Sequence, residues 1–326
     1  MAGRCSHPGC PDPDNIGCNV EGLDNIHDCK NYIPEKSSSE ETQQKEEDNY
    51  HRIPWTGNSF GLMDLNYLTA SSKPILIGIT GVASAGKTTF LALLYCLLRN
   101  GDRIGNYSFS GSLTLIGWEN IAWYLSWKNN GNIQFPPHTT NNSGRIPGLL
   151  HLALKNIEGE KIDLVFTDAP GEWFDHWRIN VNSENAKGAK WIHDNCDAFL
   201  LFADCEMLTP TSSKRGIAKQ QINSVADRIF ENLDNRPFGL IWSKSDILIP
   251  IETKKQIRSR FEQNPIIHYA EYETSVKEGE DELFHKNICD SIYWLVEKLQ
   301  SNKNRIPSIT SHKPEDMFLS KRTTNE

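Results

Sequence analysis

The stretch that most constrains this chain runs from residue 75 to residue 89, ILIGITGVASAGKTT. It opens with an isoleucine-rich run that predicts a buried strand. Residues 81–88 then fit the pattern G-x-x-x-x-G-K-[ST] at every fixed position. Residues 90–99 are apolar at helical spacing, and Asn100-Gly101 is a typical helix end. The motif therefore lies at a turn between a strand and a helix, which is the context its chemistry requires.

This loop is expected to bind a nucleoside triphosphate. Gly81 and Gly86 allow the backbone to turn tightly and to approach a ligand closely. Successive backbone N–H groups then point into a concavity at the positive end of the following helix. Lys87 is expected to reach the β- and γ-phosphates, and the Thr88 hydroxyl is expected to bind magnesium. The other loop residues expected at the phosphates are Ser84, Ala85 and Thr89.

Composition and charge exclude several classes of function. Charged residues make up 23% and hydrophobic residues 38% of the chain, a balance typical of globular proteins. No apolar run approaches the roughly 20 residues that span a bilayer, and the polar N-terminus lacks a signal-peptide core. We therefore expect a cytoplasmic protein without a membrane span. The net charge of -8 gives no general electrostatic reason to bind nucleic acid.

Four of the eight cysteines lie within the first 29 residues. A segment of this length cannot bury enough surface to fold alone. In a reducing compartment such a segment is usually stabilised by a bound metal instead of a disulfide. Four thiolates suit a closed structural zinc site whose metal supplies the folding energy. The alternatives are a tail with free thiols and a redox element. The predicted zinc ligands are Cys5, Cys10, Cys18 and Cys29.

Changes in composition divide the chain into four predicted parts. Residues 1–34 form the cysteine-rich module, and residues 35–50 are a polar, acidic linker. Residues 51–300 form the domain with the phosphate loop, and residues 301–326 are a polar tail. In the main domain, apolar strands alternate with helices, which predicts an α/β fold with a mostly parallel sheet and helices on both faces. Ligands of such sheets bind at the carboxyl ends of the strands.

The predicted elements after the phosphate loop follow from hydrophobic periodicity. The predicted strands are 107–117, 149–154, 162–167, 198–203, 238–242 and 265–272, and the predicted helices are 118–127, 186–194, 217–233, 254–261 and 281–299.

A second acidic group is expected to hold magnesium. Asp168 ends the strand IDLVFTD, and Gly171, three residues later, offers a backbone N–H to a γ-phosphate. The alternative for Asp168 is a capping or turn aspartate. Thr139 or Thr140 can add a second hydroxyl to the ion, and the sequence does not decide between them.

A base-reading motif follows the predicted strand 238–242. The carboxylate of Asp246 can accept hydrogen bonds from N1–H and the exocyclic amine of guanine, a pairing that adenine does not offer. The stem of Lys244 can lie across the base, and Ser243 opens the motif. Ser275 and Val276, at the next strand end, complete the expected pocket. The alternative is a polar strand end without a ligand.

Taken in this order, the motifs resemble those of the TRAFAC-class, Ras-like P-loop GTPases over roughly residues 72–300. Ser243 departs from the family pattern because the family usually has Asn or Thr there, so a hydroxyl is kept and an amide is lost. The loop PPHTT at 136–140 and the run DAPGEW at 168–173 are similar to the bacterial double-GTPase proteins of GTPase-associated systems. That resemblance implies a second GTPase as partner, in a defence or conflict system.

The resemblance also implies a mechanism in which GTP and GDP bind with magnesium. Lys87, Gly171 and Glu172 would be the catalytic group, with Glu172 standing where Ras-like enzymes have a water-orienting glutamine. A carboxylate can accept a proton from water but repels the γ-phosphate, so we expect slow hydrolysis. GTP would order residues 130–147 and the stretch after Gly171. The alternatives are a nucleotide-binding adaptor with little or no turnover, and an ATPase.

Overall fold

The computed structural model describes residues 3–5, 30, 32–34, 59–70, 72–125, 147–263, 269–277 and 283–302. The chain divides into two compact units, residues 1–53 and 54–326. In the first unit, strands β1 (Gly3–Cys5) and β2 (Tyr32–Pro34) form an antiparallel pair.

The second unit contains the phosphate loop and the elements that position it. Its strands are β3 (Ile75–Thr80), β4 (Ser108–Gly111), β5 (Gly148–Lys155), β6 (Lys161–Asp168), β7 (Ala198–Asp204), β8 (Phe238–Ser243) and β9 (Tyr269–Glu273). Its α-helices are α1 (Leu65–Thr69), α2 (Lys87–Asn100), α3 (Leu115–Ala122), α4 (Gly171–Ile179), α5 (Lys187–Asn195), α6 (Arg215–Phe230), α7 (Ile251–Glu262) and α8 (Leu283–Asn302). Short 3-10 helices occupy Leu62–Asp64, Trp123–Leu125 and Glu184–Ala186.

The seven strands of this unit form one sheet in the order β4-β5-β6-β3-β7-β8-β9. Strands β6, β3, β7, β8 and β9 are parallel to their neighbours in that run, whereas β4, β5 and β6 pair antiparallel. The strand that leads into the phosphate loop, β3, lies at the centre. This confirms the predicted mostly parallel sheet, and it places the loop where the carboxyl ends of several strands converge.

Both faces of the sheet are covered by helices. Alternate residues of a strand face opposite sides, so a strand that is apolar throughout must be buried on both sides. In β7, Leu200 and Phe202 belong to the core that contains residues of α2 and α8. The neighbouring Phe199 and Leu201 belong to the core that contains residues of α4, α5, α6 and α7. The prediction of helices on both faces is therefore confirmed.

A buried histidine near one edge of the sheet connects strand β5 to strand β6 and to helix α3. His151 in β5 is 2% exposed, its Nδ1 accepts the backbone N–H of Leu113 at 3.0 Å, and its Nε2 lies 3.0 Å from Oδ1 of Asp163. The carbonyl oxygen of His151 accepts from the indole N–H of Trp118 at 2.8 Å. Because Nδ1 is an acceptor, Nε2 carries the proton and donates to Asp163.

The predicted strand 107–117 is wrong beyond its first half. Strand β4 ends at Gly111, and helix α3 begins at Leu115 instead of residue 118. The hydroxyl of Ser112 donates to the carbonyl of His151 at 2.6 Å and accepts the backbone N–H of Thr114 at 2.9 Å. A serine that bonds to nearby backbone in this way favours a turn over continuation of the strand.

Candidate functional site

A pocket of about 660 Å³ lies at the carboxyl ends of the central strands. It is lined by the phosphate loop, by the start of helix α4, by the loop after β8 and by the loop after β9. The structure therefore brings together motifs that are up to about two hundred residues apart in the chain. Of the residues expected at the site, the pocket is lined by Ser84, Ala85, Gly86, Lys87, Thr88, Thr89, Gly171, Glu172, Ser243, Lys244, Asp246, Ser275 and Val276.

The phosphate loop depends on backbone conformations with positive φ. Gly81 has φ 139° and Gly86 has φ 84°, in the region that favours glycine. A Cβ on Gly81 would lie 3.2 Å from Cβ of Phe202, so this glycine also allows close packing against β7. Gly86 immediately precedes helix α2. The N-terminus of that helix is thereby directed at the pocket, as anion binding requires.

Lys87 lies across the loop it follows. Its side-chain Nζ donates to the carbonyl oxygens of Gly81 and Val82, both at 2.9 Å, and the residue is 6% exposed. Burial lowers the pKa of Lys87 to about 8, although the carboxylates of Asp168 and Glu172 oppose the shift. The ammonium is therefore charged at neutral pH while its charge is poorly solvated, a condition that an incoming phosphate would relieve.

Two of the residues expected at magnesium, Thr88 and Asp168, are in direct contact. The Thr88 hydroxyl donates to Oδ1 of Asp168 at 2.9 Å, at the start of α2 and the end of β6. These are hard oxygen donors beside the phosphate loop, and Mg²⁺ is commonly held by one or two such groups together with substrate phosphates and water. In the ranges that the structure describes, no group of three or more His, Cys, Asp or Glu side chains could hold a metal. Thr139 and Thr140 lie outside the described residues.

Gly171 begins helix α4, which packs directly on the phosphate loop. A Cβ on Gly171 would lie 2.1 Å from the backbone N and 2.3 Å from Cα of Ala83. Glu172 is exposed and lines the pocket. Helix α4 was not among the elements predicted from the sequence, although its aromatic residues, Trp173, Phe174 and Trp177, follow helical spacing. All three are buried, so the stretch after Gly171 is a packed helix instead of a loop.

Asp246 lines the pocket from the loop after β8 and is held in place by neighbouring side chains. Its Oδ1 accepts from the Ser275 hydroxyl at 2.6 Å, and its Oδ2 lies 3.3 Å from Nζ of Lys277. Burial opposes ionisation of Asp246, but the hydrogen bonds from Ser275 and Lys277 outweigh it and hold the pKa below its ordinary value. The Ser245 hydroxyl donates to the carbonyl of Trp242 at 2.7 Å, which fixes the loop. The site thus presents an ionised, oriented carboxylate.

Ser243 joins the base-reading motif to the phosphate loop by packing. It is 5% exposed, and its hydroxyl donates to the carbonyl of Ala203 at 3.2 Å. A Cβ on Gly86 would lie 3.5 Å from Cβ of Ser243, within ordinary contact distance. The small side chain is therefore used against the neighbouring strand and the loop.

Lys244 interacts with two acidic residues that sequence reasoning missed. Its Nζ donates to Oδ2 of Asp204 at 2.7 Å and to Oε2 of Glu206 at 2.8 Å. Burial lowers the pKa of Lys244, but the two carboxylates outweigh it and raise the pKa above its ordinary value. In the sequence these two acids are recognisable because Asp204 ends the apolar run of strand β7 and Glu206 follows two residues later. Other pocket residues not predicted are Ala83, Phe90, Leu93, Ala169, Pro170, Phe202, Ile247, Thr274, Lys277 and Ile288.

The four cysteines predicted to bind zinc are largely outside the described ranges. Cys5 belongs to strand β1, whereas Cys10, Cys18 and Cys29 lie outside the described residues. The zinc site therefore stays a prediction. In the part of the chain that the structure describes, no helix is long and apolar enough to cross a membrane.

Comparisons with known proteins give a family and a structural similarity. Residues 75–295 match the Double-GTPase 2 family. Among solved structures, the chain is similar to the Arl6 BBS3 small GTPase from Trypanosoma brucei with bound nucleotide analogue GppNp. The identity is 12%, the match covers 70% of this chain and 99% of that chain, and the TM-score is 0.37. The comparison with curated proteins finds no match.

Proposed function

Because the chain belongs to the Double-GTPase 2 family, we propose that it is a molecular switch that binds GTP with magnesium and hydrolyses it slowly. The observation that carries this proposal is a single pocket with phosphate-binding and guanine-reading chemistry. The phosphate loop and Lys87 line it together with the ionised carboxylate of Asp246. Its volume of about 660 Å³ lies within the usual range for small-molecule sites.

Each end of the pocket would recognise a different part of the nucleotide. The backbone N–H groups at the start of α2 and the Lys87 ammonium would bind the phosphates. Asp246 would accept hydrogen bonds from the guanine N1–H and exocyclic amine. The contact between Ser275 and Asp246 leaves the carboxylate fixed in orientation before the base arrives. This preorganisation reduces the entropy cost of binding.

Thr88 and Asp168 would hold magnesium, since their oxygens lie side by side at the phosphate loop. When bound, the ion neutralises charge on the β- and γ-phosphates. Lys87 would exchange its contacts with loop carbonyls for contacts with phosphate oxygens. The backbone of Gly171, which packs on the phosphate loop, would sense whether a γ-phosphate is present.

Slow turnover is proposed because Glu172 is a carboxylate at the pocket. It can accept a proton from an attacking water, but its charge repels the γ-phosphate. Single-turnover phosphate release with Glu172→Gln and Glu172→Ala tests this role. If Glu172 acts as the base, both variants are slower than wild type. If repulsion limits the rate, Glu172→Gln is faster.

A second candidate function is a nucleotide-binding adaptor with little or no turnover. The same observation favours it, because Glu172 would then mark a site that retains binding without hydrolysis. Phosphate release that stays at the background rate in wild type and in both Glu172 variants, with GTP still bound, would support the adaptor.

Calorimetry with GTP, GDP and ATP in magnesium tests the binding proposal itself. We expect guanine nucleotides to bind tightly to wild type and weakly to Asp246→Ala. Asp227→Ala is a matched control, since Asp227 pairs with Arg260 and does not line the pocket. Equal binding of ATP and GTP, unchanged by Asp246→Ala, would favour the ATPase alternative.

The protein would act in the bacterial cytoplasm, where GTP is available, beside a second GTPase in a defence or conflict system. Phosphate release measured with candidate GTPase partners tests this pairing.

Residues 1–34 would bind one structural zinc ion through Cys5, Cys10, Cys18 and Cys29. Metal analysis of the full chain tests this, with one zinc per chain expected and its loss expected in Cys10→Ser.

A further inference from the structure

We propose that Asp204 and Glu206 are positioning residues of the base pocket. They hold the Lys244 ammonium at the end of strand β7, so that the aliphatic stem of Lys244 forms one wall of the pocket. This inference rests on the proposed function, because it assigns a role to Lys244 in binding the base of a guanine nucleotide.

Strand register brings the acidic pair and the lysine together. Asp204 and Ser243 are direct partners at the ends of the parallel strands β7 and β8. Lys244 is the next residue after Ser243, so its side chain starts beside the end of β7. Asp204 is 6% exposed, and its Oδ2 accepts from Lys244 Nζ at 2.7 Å. A carboxylate this deeply buried is costly unless it is paired, so this contact is a fixed feature of the site.

The two acids are themselves locked together. Oδ1 of Asp204 accepts the backbone N–H of Glu206 at 2.9 Å, while its Oδ2 accepts from Lys244. Glu206 lines the pocket, and its Oε2 accepts from the same ammonium at 2.8 Å. The ammonium is therefore held from two directions by a turn that one aspartate organises.

The backbone of Lys244 is as constrained as its side chain. Its φ is 57°, a left-handed conformation that is unfavourable for a residue with a Cβ. Its carbonyl accepts the backbone N–H of Ile247 at 3.0 Å. With both ends of the residue fixed, the stem between them has little freedom. Lys244 lines the pocket, so this fixed stem is part of its wall.

The carboxylates of Asp204 and Glu206 would keep the Lys244 ammonium away from the phosphates of a bound nucleotide. Lys87 is the cation that contacts the phosphate loop, through the carbonyls of Gly81 and Val82. The Lys244 ammonium is neutralised by Asp204 and Glu206, and it therefore contributes through its stem. Without these carboxylates, the ammonium would be free to move toward nucleotide phosphates, and the wall of the base pocket would move with it.

The test is a double-mutant cycle on GDP binding, with melting temperature measured in parallel. Asp204→Asn keeps an oxygen that can accept the Glu206 N–H but removes the charge that holds Lys244. Lys244→Met keeps an unbranched stem and removes the ammonium. Asp227→Asn is the control, because it removes a carboxylate from an ion pair with Arg260 on the outside of the domain.

We expect Asp204→Asn to raise the dissociation constant for GDP about tenfold and Asp227→Asn to leave it unchanged. In the Lys244→Met background, Asp204→Asn should have no further effect, because there is no ammonium to position. A purely structural Asp204 would lower the melting temperature and leave the affinity of the folded protein unchanged, or would act equally in both backgrounds. Either result would overturn the proposal.

A second variant keeps the proposal testable if Asp204→Asn does not fold. Glu206 is exposed, so Glu206→Gln removes only the outer of the two carboxylates that hold the Lys244 ammonium. We expect roughly threefold weaker binding of GDP. Unchanged affinity in Glu206→Gln would then contradict the proposal. Failure of the wild type to prefer GDP over ADP would instead contradict the proposed function.

Discussion

The backbone of Gly171 lies so close to that of Ala83 that a Cβ on Gly171 would be 2.1 Å from the Ala83 backbone N. The phosphate loop and helix α4 are therefore in direct backbone contact. The helix is anchored further along by Trp173, whose ring occupies a space that Gly188 leaves open, since a Cβ there would lie 2.2 Å from the ring. A change in the phosphate loop would thus be transmitted to a packed helix.

Replacement of Gly171 by alanine should disturb the loop because the atoms that its Cβ would meet are backbone atoms, which cannot rotate away. We expect Gly171→Ala to weaken GTP binding by about 1–3 kcal/mol, and GDP binding by less, since the proposed role of Gly171 is at the γ-phosphate. Titration of each nucleotide by calorimetry measures both effects.

Gly216→Ala is the matched control for this substitution. Gly216 lies in helix α6, and a Cβ there would have no atom within 4 Å, so we expect normal binding and slightly greater stability. Equal affinities for GTP in Gly171→Ala and Gly216→Ala would show that the contact with Ala83 is unimportant.

Lys87 should take up a proton when nucleotide binds at alkaline pH. Burial lowers its pKa to about 8 in the free protein, and phosphate oxygens should raise it in the complex. Binding of GDP at about pH 9 should therefore absorb close to one proton, whereas binding at about pH 7 should absorb few. Calorimetry in two buffers of different ionisation enthalpy measures this number. Identical proton uptake at the two pH values would contradict the assignment of Lys87.

The contact between Thr88 and Asp168 predicts that both residues matter only when magnesium is present. We expect Thr88→Ala and Asp168→Asn to weaken GTP binding in magnesium about tenfold or more. In EDTA, binding should be weak and similar in wild type and both variants, because the ion is removed from all three. Variants that are equally impaired with and without magnesium would point to a structural role for this hydrogen bond.

His151 should make the fold sensitive to acid. Burial lowers its pKa below 6.5, although the hydrogen bond to Asp163 opposes the shift. The unfolded chain therefore binds a proton more readily, so the free energy of unfolding falls as the pH decreases from about 6.5 through the lower pKa of the folded state. His151→Gln should show a weaker decrease between about pH 7 and pH 5 in urea denaturation. A decrease as steep as that of wild type would contradict this.

Much of the fold could be predicted because buried strands appear in the sequence as continuous apolar runs. The buried runs AFLLFA and FGLIW form all but the last residue of strands β7 and β8, and the phosphate loop fixes the boundary between β3 and α2. Helix α4 is not among the predicted elements because its first residues belong to a functional motif that is expected at a strand end, and only the spacing of Trp173 and Trp177 indicates a helix. Local serine chemistry at Ser112 ended β4 early, and such competition is difficult to read from periodicity alone.

The candidate site was predictable where one segment supplies a whole motif. The contact of Lys244 with Asp204 was not, because it depends on the register of β7 against β8 and joins residues 40 positions apart. The closeness of Gly171 to Ala83 likewise depends on the packing of α4. The roles assigned to Thr139, Thr140 and the N-terminal cysteines remain predictions, because the side chains of these residues lie outside the part of the chain that the structure describes.

Guanine recognition by Asp246 is tested most directly by the base preference of wild type and of Asp246→Asn, measured as dissociation constants for GDP, ADP and XDP in magnesium. A carboxylate complements the N1–H and amine of guanine, whereas an amide complements the N1–H and C2 carbonyl of xanthine. We expect wild type to prefer GDP and Asp246→Asn to prefer XDP. Equal binding of GDP and ADP by wild type, with no change of preference in Asp246→Asn, would contradict it.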